Sequence, residues 1–140
     1  FNPLWMMIKE NSVQYNIKQL LAKSKAGTLF NYNDFNDCGT YTAIRSAVVY
    51  LCKNKELERI CQGVYVKPGK NGENYKPDNI TLAKEIDRKN GATATPKGKT
   101  LDYVNGKINK LPNLLEFYST GSGRIIRLPD GTIVKYSLIR

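Results

Sequence analysis

The stretch TYTAIRSAVVYLCKNKELERICQGVYVK, residues 40–67, decides how this chain folds. Its first half repeats apolar residues at Ile44, Ala47, Val48 and Leu51, the spacing of a helix buried along one stripe. The other face carries Thr42, Arg45, Ser46, Val49 and Lys53. At the start, the two threonines offer a hydroxyl cap for orphan backbone N–H groups, and Gly39 lets the chain turn sharply. After Lys55 the period changes. Leu57, Arg59 and Cys61, then Val64 and Val66, alternate with differently facing residues, and Gln62-Gly63 makes a hairpin turn between them. A helix therefore runs directly into a two-stranded hairpin.

Upstream, Val13, Ile17, Leu20 and Leu21 lie on another helical stripe, with Ser12 placed to cap its start and residues 23–27, KSKAG, to end it. Thr28-Leu29-Phe30 is a short extended piece. Asn31 then caps a single turn reaching Phe35, with Asp34 near the positive end, and Phe30 and Phe35 are core plugs. Helix, short strand, short helix, helix, hairpin is the order of a winged helix-turn-helix, assigned here to residues 1–69. Its hydroxyl-bearing, cationic helix face fits a DNA major groove, and the hairpin tip can lie against phosphate or minor groove.

Residues 70–77, within the run PGKNGENYKP, are a linker or an extended wing. A second unit fills residues 78–140. Asp78 or Asn79 caps a helix over 80–90 with Leu82, Ala83 and Ile86 on its apolar side, and Gly91 closes it. Residues 92–95 are extended, and 99–105 are helical after a Pro-Lys-Gly turn. Segments 114–119, 124–128 and 132–137 read as an antiparallel meander turned at 120–123 and 129–131. The expected fold class is α+β.

The chain has 140 residues, enough for one ordinary domain or two small ones. It carries 22 basic and 12 acidic residues, a formal charge of +10. The excess is spread along the chain: residues 1–69 and 70–111 each hold nine basic against five acidic residues. Such a balance attracts polyphosphate through counterion release. No segment approaches a membrane span, and residues 4–8, LWMMI, are too short for a signal peptide, so a cytoplasmic location is expected. The first residue is Phe, so the natural start is expected elsewhere, with Met6 and Met7 as candidates.

Cys38, Cys52 and Cys61 have no metal-ligand spacing and no histidine exists to complete a site. Cys52 reads as helix packing and the others as free thiols of a reducing compartment. The missing histidine also removes Ser-His-Asp and Cys-His catalysis. Gly121-Ser122-Gly123 before Arg124 has no following helix to hold a phosphate and reads as a hairpin loop. The letters GKT at 98–100 lack the first glycine of a phosphate loop. Asp78, Glu85, Asp87 and Asp102 read as solvated helix ends rather than metal ligands. No cofactor and no metal are expected.

The series Phe30, Asp34-Phe35, Ala43-Ile44-Arg45-Ser46-Ala47, Leu51, Leu57-Glu58-Arg59-Ile60 and Gly63-Val64-Tyr65-Val66-Lys67-Pro68 resembles the winged-helix domain of AbiEi-type antitoxins, which are bacterial transcriptional regulators. In the second unit Leu82-Ala83-Lys84, Lys89-Asn90-Gly91, Pro96, Gly98, Asn105-Gly106, Pro112, Tyr118 and Gly121 fall in the spacing of the short members of that group, so the resemblance covers nearly all of residues 13–136. It departs where relatives carry Ala-Leu-Asn and Leu-Gly-Leu, here Leu101-Asp102-Tyr103 and Asn105-Gly106-Lys107. A C-terminal helical portion is expected to be missing. The resemblance implies binding at the chain's own operon, repression of a toxin-antitoxin pair, and a nucleotidyltransferase-like toxin that need not form a stable complex with it. It supplies no catalytic residue.

The expected function is thus non-enzymatic binding of double-stranded DNA. Thr40, Tyr41, Thr42, Arg45, Ser46 and Lys53 approach the groove or its flanking phosphates, and Arg59, Gln62, Lys67 and Lys70 serve the wing. Arg45 is the best placed for a guanine edge, while Lys53 and Lys67 act through phosphate. Two-fold DNA sites would call for a homodimer. The alternatives are an interaction module that docks a toxin without DNA, and a metal-dependent nuclease or nucleotidyltransferase using the carboxylates.

Overall fold

The computed structural model describes residues 4–70 and 75–139, the side chains from residue 13 onward. The chain divides into two compact units, Phe1–Lys76 and Pro77–Arg140. Both combine helices with a small sheet, so the fold class is α+β.

The first unit runs α1 (Leu4–Ala22), β1 (Leu29–Phe30), a 3₁₀ helix (Tyr32–Cys38), α2 (Tyr41–Lys53), β2 (Glu58–Cys61) and β3 (Val64–Val66). Helix α1 starts well before the expected cap, and Ser12 lies inside it. The stripe from Val13 onward is where it packs: Ile17 and Leu21 are buried with Phe30, Phe35, Ile44, Val48, Leu51 and Leu57 in one core. Phe30 and Phe35 stack at 5.5 Å between ring centroids. Asn31 and Asp34 form the reciprocal capping box of the 3₁₀ helix. Thr40 caps α2, its hydroxyl accepting from the Ala43 N–H at 3.3 Å.

Gly39 is needed for a different reason than a sharp turn. Its backbone is extended (φ 164°), but a Cβ there would come within 2.6 Å of the Val13 side chain. The close approach of α1, not the dihedral, requires the glycine. Gly63 does require its conformation, with φ +76° in the hairpin turn.

Strand β3 is central, antiparallel to both β1 and β2. A bulge between Arg59 and Cys61 breaks the expected alternation of β2, so Leu57 and Ile60 are the buried pair. Of the expected linker, residues 71–74 lie outside the described residues. Tyr75 and Lys76 fold back onto β2: the Tyr75 hydroxyl donates to Glu58 Oε1 and Lys76 Nζ to Oε2 at 2.6 Å. Burial works against the Glu58 charge, but these two bonds outweigh it and hold its carboxyl below the usual value. The same bond to Glu58, reinforced by burial, pushes the Tyr75 phenol up to about 12.

The second unit comprises α3 (Asn79–Lys89), β4 (Ala94–Pro96), α4 (Gly98–Val104), β5 (Leu114–Ser119), β6 (Arg124–Arg127) and β7 (Ile133–Leu138). Asp78 caps α3. The sheet order is β4-β5-β7-β6, with β5 and β7 parallel, so the expected antiparallel meander is wrong. Only β6 and β7 form a hairpin. The reason lies in burial. Strand β7 buries Val134 and Tyr136, whereas no residue of β6 is buried and Ile125 is 67 % exposed. The interior position goes to the strand that can fill it, and the arginine-flanked β6 takes the edge. Its four-residue crossing at 120–123 spans two interstrand spacings, roughly 10 Å, within reach at about 3.4 Å per residue.

The buried face of this sheet is tied to α3. The Tyr136 hydroxyl donates to Ala83 O at 2.7 Å. Asp87, fully buried, accepts from Ser119 Oγ at 2.7 Å and from an Arg124 guanidinium nitrogen at 3.1 Å. Arg124 also lies 4.1 Å from the centroid of the Tyr136 ring.

Two expectations follow. Asp87→Ala leaves the Arg124 charge uncompensated and lowers stability by about 3–5 kcal/mol, while Asp87→Leu with Arg124→Met recovers most of it; urea denaturation reads both, and a loss under about 1 kcal/mol for Asp87→Ala would contradict the ion pair. The clip at Glu58 stabilises above the ordinary carboxylate range and loses that contribution as pH falls through the folded value; the Tyr75 side of it is lost as pH rises from 10 toward about 12. Glu58→Gln removes the acid part of that dependence, and an unchanged pH–Tm profile would refute it.

Candidate nucleic-acid interface

One face of α2 is sealed. Ile44, Ala47, Val48 and Leu51 are each 4 % exposed or less. With that stripe turned inward, the residues on the opposite side of the helix face outward. Tyr41, Thr42, Arg45, Ser46, Val49, Tyr50 and Lys53 all do. The face is mixed rather than purely polar, since Tyr41, Val49 and Tyr50 are 61 %, 54 % and 47 % exposed. Lys53 lies in the last turn, where a cation opposes the negative helix end.

Between α2 and the β2–β3 hairpin runs a groove of about 560 Å³. Helix α2 supplies one wall with Tyr41, Arg45 and Val49, and the hairpin supplies the other with Arg59, Gln62, Gly63 and Tyr65. Tyr32, from the 3₁₀ helix, bridges the walls. Its ring packs edge-on against Tyr41 and Tyr65, both at 5.7 Å, and its hydroxyl is 3.0 Å from that of Tyr65. The Arg45 guanidinium lies 5.6 Å from the Tyr41 ring centroid. Burial, then the hydrogen bond with Tyr32, raises the Tyr65 phenol above its usual range. Among the described residues no carboxylate lines the groove.

The structure brings Tyr41, Arg45, Arg59 and Gln62 together here, with Thr42, Ser46 and Lys53 exposed beside them on α2. It does not bring Lys67 or Lys70. Lys67 Nζ donates to Leu21 O at 2.7 Å and Ser24 O at 2.6 Å, closing the C-terminal end of α1. Lys67 and Lys70 line a separate hollow with Lys18 and Lys55. Thr40 is exposed, but its oxygen serves the cap.

Tyr32 and Tyr65 were missed as site residues. The hairpin register places Tyr65 opposite Arg59, and that pairing was the signal available for one of them. Cys38 proves to be core, and burial, then Asp37, raises its thiol; no disulfide joins Cys38, Cys52 and Cys61. The carboxylates do not assemble. Asp78 caps α3, Glu85 pairs with Arg88 and Asp87 with Arg124. Among the described residues no three of His, Cys, Asp and Glu gather to hold a metal ion, and no helix is long and apolar enough to cross a membrane.

Fold and site define a two-unit α+β protein whose first unit exposes a cationic helix face beside an aromatic groove. The chain belongs to a family of unknown function, DUF6088, whose model matches residues 16–136. Neither curated proteins nor solved structures include a match to it.

The Lys67 contacts carry their own expectation. Lys67→Met keeps the stem but loses two charge-assisted bonds, lowering stability by about 1.5–3 kcal/mol while leaving affinity for nucleic acid unchanged. Denaturation and fluorescence polarisation on the same variant separate the two effects, and weakened binding at full stability would restore Lys67 to the interface.

Proposed function

We propose that the first unit is a winged helix that binds double-stranded DNA, with α2 as the reading helix and the β2–β3 hairpin as the wing. The chain is then a non-enzymatic repressor of antitoxin type acting on its own toxin-antitoxin operon. The observation that carries this reading is the outward face of α2, whose Thr42, Arg45, Ser46 and Lys53 are exposed while the opposite stripe is sealed. A helix of about 10–12 Å diameter fits a major groove of about 12 Å. The charge of +10 supplies the long-range attraction.

The antitoxin role, and a nucleotidyltransferase-like toxin as the partner, rest on the resemblance carried by residues 30–68. On this reading the protein acts in the cytoplasm, and a two-fold operator would recruit it as a homodimer. One observation favours a second reading, a module that docks a protein. The second unit's sheet exposes Tyr118, Ile125 and Leu138 at 45 %, 67 % and 48 %, apolar surface that reading DNA does not use.

Fluorescence polarisation with the duplex upstream of the chain's own gene, against scrambled duplexes, tests the first reading. Binding is expected to fall linearly with log salt. Ser46→Glu, which sets a carboxylate against phosphate, is expected to weaken it by roughly tenfold or more at unchanged Tm. If no duplex binds at low salt and a toxin co-elutes from a sizing column, the docking reading replaces it.

A further inference from the structure

We infer that the groove between α2 and the hairpin is a seat for one phosphate ester, with Arg45 and Arg59 closing on it from opposite walls. This rests on the DNA-binding reading and deepens it: Arg45 becomes a backbone clamp rather than the reader of a guanine edge.

Three observations converge. First, the groove is cationic without compensation. Among the described residues two guanidinium groups line it and no carboxylate does, whereas Lys76 meets Glu58, Arg88 meets Glu85 and Arg124 meets Asp87. Two like charges facing one cavity repel until an anion enters, and the planar forks of arginine suit phosphate oxygens bidentately.

Second, the floor donates. Tyr32 and Tyr65 share one hydrogen bond. That pair uses one of two hydroxyl protons, so the second is left to donate. With Gln62, Tyr41 and the two arginines, that one hydroxyl proton makes the groove a set of donors for phosphate.

Third, Arg45 is held at the groove from its own helix. Its guanidinium lies over the ring of Tyr41, one turn back along α2, and both residues line the groove, while Ser46 and Tyr50 are exposed outside that lining. The bases are then left to hydroxyl and apolar contacts. Tyr50 suits a thymine methyl.

Duplex and free nucleotide present the same phosphate chemistry, and the test separates them. On the full chain, R45A and R59A are each expected to weaken duplex binding roughly tenfold, equally for every sequence. Each should lower the salt slope by about 0.9, and the double variant should lose little more than either single one, since both act on one phosphate. R45K and R59K should keep the slope. Loss of discrimination at one base pair in R45A, or additive losses in the double variant, would overturn the seat while leaving DNA binding intact.

If wild-type protein binds no duplex, the DNA reading has failed and the seat is judged by adenosine 5′-monophosphate. A saturable shift of the Arg45 and Arg59 Nε resonances with the nucleotide, absent with adenosine, supports a seat filled by free nucleotide. No shift overturns it.

Discussion

Burial of the α2 stripe is the constraint from which the first unit follows. Ile44, Val48 and Leu51 sit against Ile17, Leu21, Phe30, Phe35 and Leu57, and each large aliphatic side chain so buried contributes about 1.5–3 kcal/mol. Turning the helix by even one residue, roughly 100°, would bring Arg45 or Val49 into that core and lift Ile44 or Val48 out of it. An unpaired guanidinium in an apolar core is prohibitively costly. The outward face is therefore set by the core rather than by any contact of its own.

Charge looks different once each cation is placed. The formal +10 counts all lysines and arginines alike, but their surroundings divide them. Lys67 closes a helix end, Lys76 clips the segment after β3 to Glu58, and Arg124 lies against Asp87 under the second unit's crossing. These side chains hold structure, and a polyanion would have to break hydrogen bonds to recruit them. Arg45 and Arg59 face a cavity lined by donors and rings. A net charge describes attraction at a distance, whereas the local arrangement decides where a phosphate rests.

In the first unit the sequence was legible wherever one periodicity ruled. The α2 stripe, the Asn31 box, the Phe plugs and the Gln62-Gly63 turn all follow from spacing and local chemistry. Failures came where a distant contact decided. The bulge in β2 exchanged the expected inward set for Leu57 and Ile60, because insertion of one residue flips the pleat. The bonds of Lys67 were out of view because nothing local reveals that α1 ends beside it, 43 and 46 residues away in sequence. Two of the groove's tyrosines were equally hidden. Tyr32 meets Tyr65 only after β1 pairs with β3, and composition alone does not say which of nine tyrosines will converge.

The second unit shows how a correct local reading can give a wrong topology. Each strand and each turn was expected close to where it lies, and Thr120-Gly121-Ser122-Gly123 has strong hairpin chemistry. That chemistry specifies a bend, not the neighbour reached after it. The neighbour depends on which strand can bury side chains, and β6, RIIR, alternates between half-buried and exposed. Strand β7 offers Val134 and Tyr136 to the α3 side, and Tyr136 adds a hydroxyl bond to Ala83 that a strand outside the helix's reach could not make. Placing β7 between β5 and β6 also lets Gly121 pass close to Ala92, where a Cβ would sit 2.8 Å from that side chain. The glycine thus reads as a hairpin residue by sequence and acts as a clearance for a crossing. Burial pattern, weighed strand against strand, would have been the better guide to the order than the turn between them.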